Sequence, residues 1–348
     1  LGLSAGSAAI NYSILNIAEQ GNNIVSVPLL YGGTYTLFKH MFPRQGLEVR
    51  FAEDDSAGAM AKLIDGKTTA IFCESIGNPA GNIVDLEALA DMAHAHGVPL
   101  IVDNTVPTPA LLKPLEWGAD VIVSSLTKYM GGHGNSLGGM IVDGGEFPWA
   151  DYPEKFHMLN EPEESYHGVV YTEALGAAAY AGRARTVALR NTGSAISPMN
   201  AFLILQGMQT LPLRMERHCD NALAVAGYLK GHPKVSWVNF AGLPDSPYYD
   251  LAQKYTGGKP SALLTFGIKG GFDAGVKFYD ALQMFLRLVN IGDVKSLAAH
   301  PASTTHRQLS PEELESAGVT PDMIRLCIGI EDIEDIIADL EQALDAAG

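Results

Sequence analysis

The chain has 348 residues, 47% of them hydrophobic and 18% charged, a composition that builds folded cores and argues against a disordered chain. Its formal net charge of −16 argues against nucleic acid or an anionic membrane surface as a partner, so any anionic ligand must be held by local groups. The length fits one large domain plus a smaller one, each with its own core.

Cys73, Cys219 and Cys327 are scattered, odd in number and form no C-x-x-C pair, which reads as reduced, buried thiols. No apolar run is long enough to span a bilayer, and no signal-peptide pattern opens the chain. It begins without an initiator Met at "LGLSAGSAAINYSILNIAEQG", as though in mid-sequence. The expected compartment is the cytoplasm.

The first motif is "SAGSAA", Ser4 to Ala9, ahead of an apolar-periodic helix. Small residues at a helix start expose backbone N–H groups to an anion, although they also simply permit close packing. Short β-branched runs follow: "NIVSV", "LEVRFAE", "TTAIFCE", "VPLIVD", "DVIVSS" and "GGMIVD", separated by loops and by helical stretches such as "DLEALADMAHAHG". This alternation predicts an α/β fold with a mostly parallel sheet buried on both faces, and ligands at the carboxyl ends of its strands.

From Ser197 to His232 the pattern turns helical, with Ser197 as cap, Pro198 in the first turn and Pro212 as a break. Beyond it come the strands "KVSWVNF" and "ALLTFGIKGG", the helix "AGVKFYDALQMFLRLV", the strand "MIRLCIGI" and the helix "DIEDIIADLEQALDAA". The expected division is a large domain over residues 1–233 and a smaller α+β domain over 234–348.

Asp103 ends the strand "VPLIVD", and Lys128 follows "DVIVSS" in "SSLTKYMGGHG". Strand ends of one parallel sheet share a crevice, where an acid and an amine form a plain ion pair or something more. Tyr31 in "YGGT" is either a core residue at a turn or a ring that stacks on a planar ligand. Ser125 and Thr127 flank the lysine with hydroxyls suited to a phosphate, and "GGHG" lets backbone come close to it. His133 in that run reads as structural. Together these features describe a pyridoxal phosphate site: a Schiff-base lysine, an acid on the pyridine nitrogen, an aromatic stack and a phosphate cup. The lysine there must shed its charge, which cationic or apolar surroundings promote.

The ordered stretches "YGGTYTLF", "ESIGNP", "VDNT", "SSLTKYMGGHG", "SYHGVVYTEALG", "LRMERHCDNALAVA", "GDVKSLAAHPASTTH" and "IRLCIGIEDIEDIIADLEQAL" resemble the Cys/Met-metabolism enzymes that use pyridoxal phosphate. The likeness runs from Leu1 to the C-terminus and is strongest to the O-acetylhomoserine sulfhydrylase branch. It implies the aspartate-aminotransferase-like (type I) fold. It makes Lys128 the Schiff-base lysine, Asp103 the acid facing the pyridine nitrogen, and Tyr31 the stacking ring and a proton donor to the leaving group. Gly6 and Ser7 are then backbone donors to the phosphate, with Ser125 and Thr127 adding hydroxyls. Asn78 partners the cofactor's phenolic oxygen, and Glu74 nearby is read as structural. Arg325 grips the substrate α-carboxylate, assisted by Asn290, a bidentate task suited to guanidinium.

The implied reaction is γ-replacement on O-acetyl-L-homoserine by sulfide or a small thiol, giving homocysteine or methionine and acetate. Cystathionine γ-synthase, a methionine γ-lyase, or a non-catalytic cofactor-binding partner subunit stay open as alternatives. The resemblance also implies a homo-oligomer, a dimer or a tetramer built of dimers. Family members carry an N-terminal arm with a Tyr-x-Arg motif that reaches a neighbour's phosphate. No tyrosine here has Arg two positions later, so the arm is expected to be missing and the cofactor more weakly held.

Three bland readings stand beside these. Arg325 could be a surface arginine. His300 and His306 in "HPASTTH" have near-metal spacing, yet no Cys or acid completes a site, and no metal is expected. The acids of "EDIEDIIADLEQ" read as a solvated helix face.

Overall fold

All six apolar runs of the first half form strands in the computed structural model, which describes residues 1–304 and 319–348. They are β2 (Asn23–Ser26), β3 (Glu48–Phe51), β4 (Thr68–Glu74), β5 (Leu100–Asp103), β6 (Val121–Ser125) and β7 (Gly139–Asp143). A two-residue strand β1, Gly2–Leu3, too short to leave a periodic signal, joins them in the order β1-β7-β6-β5-β4-β2-β3. Strands β3, β2, β4, β5 and β6 are mutually parallel, while β7 runs antiparallel to β6 and β1 to β7. Every residue of β4 is buried, as an interior strand covered on both faces requires.

The described residues fall into two compact units. The first holds Leu1–Ser75, Val84–Thr127 and Asn135–Gln206; the second holds Ile76–Ile83, Lys128–Gly134 and Gly207–Gly348. The seven-stranded sheet belongs to the first. The second is built on a five-stranded sheet of β8 (Val235–Asn239), β9 (Leu263–Ile268), β10 (Leu286–Arg287), β11 (Leu297–Ala299) and β12 (Met323–Cys327), ordered β10-β11-β12-β9-β8. All its pairings are antiparallel except β10 with β11.

This division departs from the expected boundary at 233/234. The helical stretch splits into Pro198–Met208 and Leu211–Gly231, with Pro212 in the first turn of the second helix, where its missing N–H costs nothing. Ser197 Oγ accepts from Asn200 N at 3.1 Å, the predicted cap. Helix Leu211–Gly231 buries Met215, Cys219, Ala222, Val225, Ala226 and Leu229 and packs on β8 and β9, so it belongs to the second unit. Lys128 also lies in the second unit, joined by one peptide bond to Thr127 of the first.

The predicted helix "AGVKFYDALQMFLRLV" is shorter than its pattern, running Gly271–Ala281. The acid face of the last helix, Ile333–Ala347, supplies the reason. Asp339 is buried, not solvated. Its Oδ1 accepts from Gln283 N at 2.9 Å, and its Oδ2 accepts from Met284 N at 2.9 Å and Phe285 N at 3.1 Å. Three amides that would continue a helical ladder are taken by one carboxylate, and the chain turns into β10 instead. His300 is also structural: its Nε2 is bonded to Pro321 O at 2.9 Å and its Nδ1 lies 2.8 Å from Ser303 Oγ. His306 lies outside the described residues. Among the described residues no helix is long and apolar enough to cross a membrane.

Replacing Asp339 by Ala leaves three amides, of which that of Phe285 is buried, without their acceptor. The expected loss is about 3 kcal/mol, read as a lower urea midpoint of the transition that melts the C-terminal helix. An unchanged midpoint would show that water serves those amides equally well.

Candidate active site

In the first unit the parallel register sets the site. Glu74 pairs with Asp103 across β4 and β5, and Asp103 with Val123 across β5 and β6, so the carboxyl ends of three strands finish side by side. The loop after β5 then closes on itself. Asp103 Oδ1 accepts from Thr105 N at 2.9 Å and from Thr105 Oγ1 at 2.5 Å, and that same hydroxyl accepts from Ser125 N at 2.8 Å. Thr105 thus ties the acid to the end of β6. Sequence reasoning missed it, although "VDNT" contains it.

Burial, partly offset by the two Thr105 bonds, raises the Asp103 carboxyl to about 6. Among the described residues none of its side-chain hydrogen bonds involves a cation, so the carboxylate has no positive partner there.

Helix Gly6–Leu15 begins beside β6. Ala5 at its N-cap has no side chain that can cap it, and among the described residues no side chain accepts from its first amides. A Cβ on residue 6 would lie 2.6 Å from Ser125 Cβ, so only glycine lets the helix start reach the strand end. Ser7, the next residue, is exposed. Thr127 Oγ1 donates to Gly138 O at 3.3 Å and accepts from Gly138 N at 3.1 Å, so its proton is committed to the main chain.

Tyr31 is 49% exposed, which removes the core reading. Its N–H donates to Glu74 Oε1 at 2.6 Å, giving the buried Glu74 the task of holding the Tyr31 backbone. A Cβ on residue 33 would lie 2.6 Å from Tyr31 Cε1, so Gly33 of "YGGT" provides room for the ring.

In the second unit Lys128, Asn78, Asn290 and Arg325 come together. Lys128 Nζ donates to Asn290 Oδ1. Arg325 Nη2 donates to the Asn290 carbonyl at 3.1 Å, and Nη1 to Asn78 Oδ1 at 3.3 Å. Arg325 is buried on β12, so it is no surface arginine. Burial first, and the charge of Arg325 second, hold the Lys128 amine below its usual value. His133 is exposed and Cys73, Cys219 and Cys327 are free, buried thiols.

The family model for Cys/Met metabolism PLP-dependent enzymes matches residues 1–345. The chain belongs to this family. It is 50% identical over 346 residues to O-acetyl-L-homoserine sulfhydrylase 1 of Thermus thermophilus, covering 99% of this chain and 82% of that one. It is 48% identical over 345 residues to homocysteine synthase of Schizosaccharomyces pombe, covering 99% and 80%. A crystal structure of an O-acetylhomoserine (thiol)-lyase from Campylobacter jejuni, carrying a pyridoxyl-lysine monophosphate, superposes with a TM-score of 0.94 at 40% identity, covering 99% of this chain and 82% of that one. The O-acetylhomoserine sulfhydrylase of Wolinella succinogenes gives 0.86 at 37% identity, covering 99% and 91%.

Pyridoxal phosphate is therefore the cofactor of this enzyme. The residues fit it: a protonated pyridine nitrogen is the cation that Asp103 lacks, and an uncapped helix start beside Ser125 suits a phosphate. Without the cofactor, the folded pKa of Asp103 (about 6) lies above its unfolded value of about 3.9. The group's contribution to stability is then fully present below pH ~4 and lost as pH rises through ~6, a fall of about 3 kcal/mol. Asp103→Asn should flatten this slope in urea titrations of the cofactor-free protein between pH ~4 and ~7. A wild-type slope in that variant would place the burden on another group.

Proposed function

We propose that the chain is an O-acetylhomoserine sulfhydrylase, converting O-acetyl-L-homoserine and sulfide to L-homocysteine and acetate. The observation that carries the reading is the Asn290 junction. It holds an amine of lowered basicity through its side chain and a buried guanidinium through its carbonyl, the pair needed to work on an α-amino acid. The relatives named for this activity support the choice of acyl substrate.

Lys128 carries the cofactor, and Asp103 faces its pyridine nitrogen. Gly6, Ser7 and Ser125 hold the phosphate, and Thr127 joins them only by releasing Gly138. Tyr31 stacks on the ring and donates a proton toward the leaving group. Asn78 and Asn290 flank Arg325, which receives the substrate carboxylate. When bound, pyridoxal phosphate accepts the electron pair released at the substrate Cα. Lys128, whose charged form is disfavoured by burial and by Arg325, removes the proton at Cα and then serves at Cβ. The Cγ–O bond breaks with release of acetate, and a Cγ–S bond forms with sulfide or a small thiol.

We place the enzyme in the cytoplasm as a homotetramer of paired dimers. Leu137, Met199, Phe202 and Leu205 are exposed apolar residues of the first unit, and Asn200 Nδ2 donates to Leu137 O within that patch. An apolar surface of this kind suits a second copy of the chain.

Sulfide, cysteine and water offered together with O-acetylhomoserine should give homocysteine as the main product. Cystathionine or a ketoacid instead would move the chain to the γ-synthase or γ-lyase. Borohydride reduction followed by peptide mapping should trap the cofactor on Lys128, and Lys128→Ala should lose the visible band. Trapping on another lysine would refute the assignment.

Arg325→Ala should raise KM for O-acetylhomoserine by a factor that reflects about 2–5 kcal/mol, with cofactor binding intact. An unchanged KM would remove Arg325 from the carboxylate site.

A further inference from the structure

Lys128 runs into "YMGGHG", and the structure gives these glycines a partner other than a ligand. Arg214, from helix Leu211–Gly231, is buried in the turn that follows the lysine. Its Nη1 donates to Tyr129 O at 2.8 Å, and its Nη2 to Gly207 O at 2.8 Å and to Met130 O at 3.4 Å. Its Nε donates to Thr210 Oγ1 at 3.1 Å. Lys128 O accepts from Gly132 N at 2.8 Å, closing the turn around the guanidinium. Gly132 has φ +75°, and a Cβ there would lie 2.6 Å from Arg214 Cζ. Gly292 backs onto the same peptide, since a Cβ on it would lie 2.8 Å from the Lys128 carbonyl carbon.

Among the described residues no carboxylate pairs with Arg214. Its charge is met by carbonyl and hydroxyl oxygens alone. A neutral side chain could fill this space at lower desolvation cost, so a buried, acid-free guanidinium needs another reason. Its planar fork is what fixes several carbonyls at once, and the two after Lys128 are among them.

We propose that Arg214 is a positioning residue for Lys128. It makes the main chain at residues 128–132 a rigid base, so that the four-methylene side chain swings from a fixed point between Asn290 and the substrate carbons. This rests on the reading of Lys128 as the cofactor-bearing base. Tyr129 adds to the base: its ring meets His218 edge-on at 5.2 Å, and its hydroxyl lies 3.2 Å from Cys327 Sγ. His218 Nδ1 donates to Ile328 O at 2.6 Å, and burial lowers its pKa to about 4, so it adds no second cation beside Arg214 near neutral pH.

The test compares Arg214→Met and Arg214→Lys with the wild-type holoenzyme. Borohydride mapping first establishes that Lys128 carries the cofactor; failure in the wild type sinks the functional reading and leaves Arg214 without a client. For Arg214→Met, with the cofactor still on Lys128, kcat should fall about 100-fold, the scale of a misplacement near 1 Å, while KM for O-acetylhomoserine changes less than about threefold. The pH midpoint of the visible band should move by roughly half a unit or more, because the lysine nitrogen no longer keeps one setting. Arg214→Lys should fall between, since an ammonium lacks the fork.

Wild-type kcat per bound cofactor and an unmoved midpoint in Arg214→Met would make Arg214 a structural brace only, whatever its melting temperature. If Arg214→Met does not fold, Thr210→Val removes the Nε acceptor, together with the 3.3 Å bond from Thr210 Oγ1 to Gly207 O, and leaves the guanidinium's bonds to Tyr129 O and Met130 O in place. It should lower kcat roughly threefold at constant KM, and an unaltered kcat there would overturn the proposal.

Discussion

The first unit depends on the level register of its parallel strands. Because Glu74 pairs with Asp103 and Asp103 with Val123, three chain ends arrive together, and short loop residues can bridge them. Thr105 needs only one hydroxyl to link Asp103 to Ser125. A one-residue slip of β5 would turn Asp103 to the other face of the sheet and leave Thr105 nothing to bridge. The glycine at the start of the first helix extends the same constraint, since any side chain at position 6 would drive the helix start off Ser125.

The second unit handles charge differently. Lys128 and Arg325 are both cations, gathered on the side-chain and main-chain oxygens of one asparagine. Their mutual repulsion, added to burial, favours the uncharged amine, and only the lysine of the two can yield its proton. Arg214 is likewise met by oxygen dipoles instead of acids. The chain is strongly acidic overall, yet the groups around its lysine are not. Distant surface acids are screened by solvent, so local groups set the chemistry there.

What the sequence made legible follows from the range of the forces involved. Strands β2 to β7 are local apolar runs bounded by breakers, and the predicted runs contain each of them. Asp103 and Tyr31 stood out beside sequence neighbours that also lie against them in space, Thr105 and Gly33, whereas Lys128 stood out by its flanking hydroxyls and glycines although its side-chain partner Asn290 is 162 residues away. The end of helix Gly271–Ala281 was hidden because the acid that stops it lies more than fifty residues on, in a segment whose pattern reads as solvated. The glycines after Lys128 were noticed, but their reason was not, because Arg214 is 85 residues away from Tyr129. The boundary between the units was hidden too: a helix continuous in pattern changes allegiance within it, and short segments at 76–83 and 128–134 leave the large sheet's unit.

The three thiols offer a use that their burial creates. Cys73 sits inside β4 of the first unit, while Cys219 and Cys327 lie in the second, and all three are closed to solvent. A thiol reagent therefore has to wait for the chain around each sulfur to open. The modification rate of Cys73 clocks the breathing of the seven-stranded sheet, that of Cys327, on β12, clocks the five-stranded sheet, and that of Cys219 clocks helix Leu211–Gly231 packed on it. The native sequence carries its own pair of stopwatches, one for each unit, with no label to be engineered.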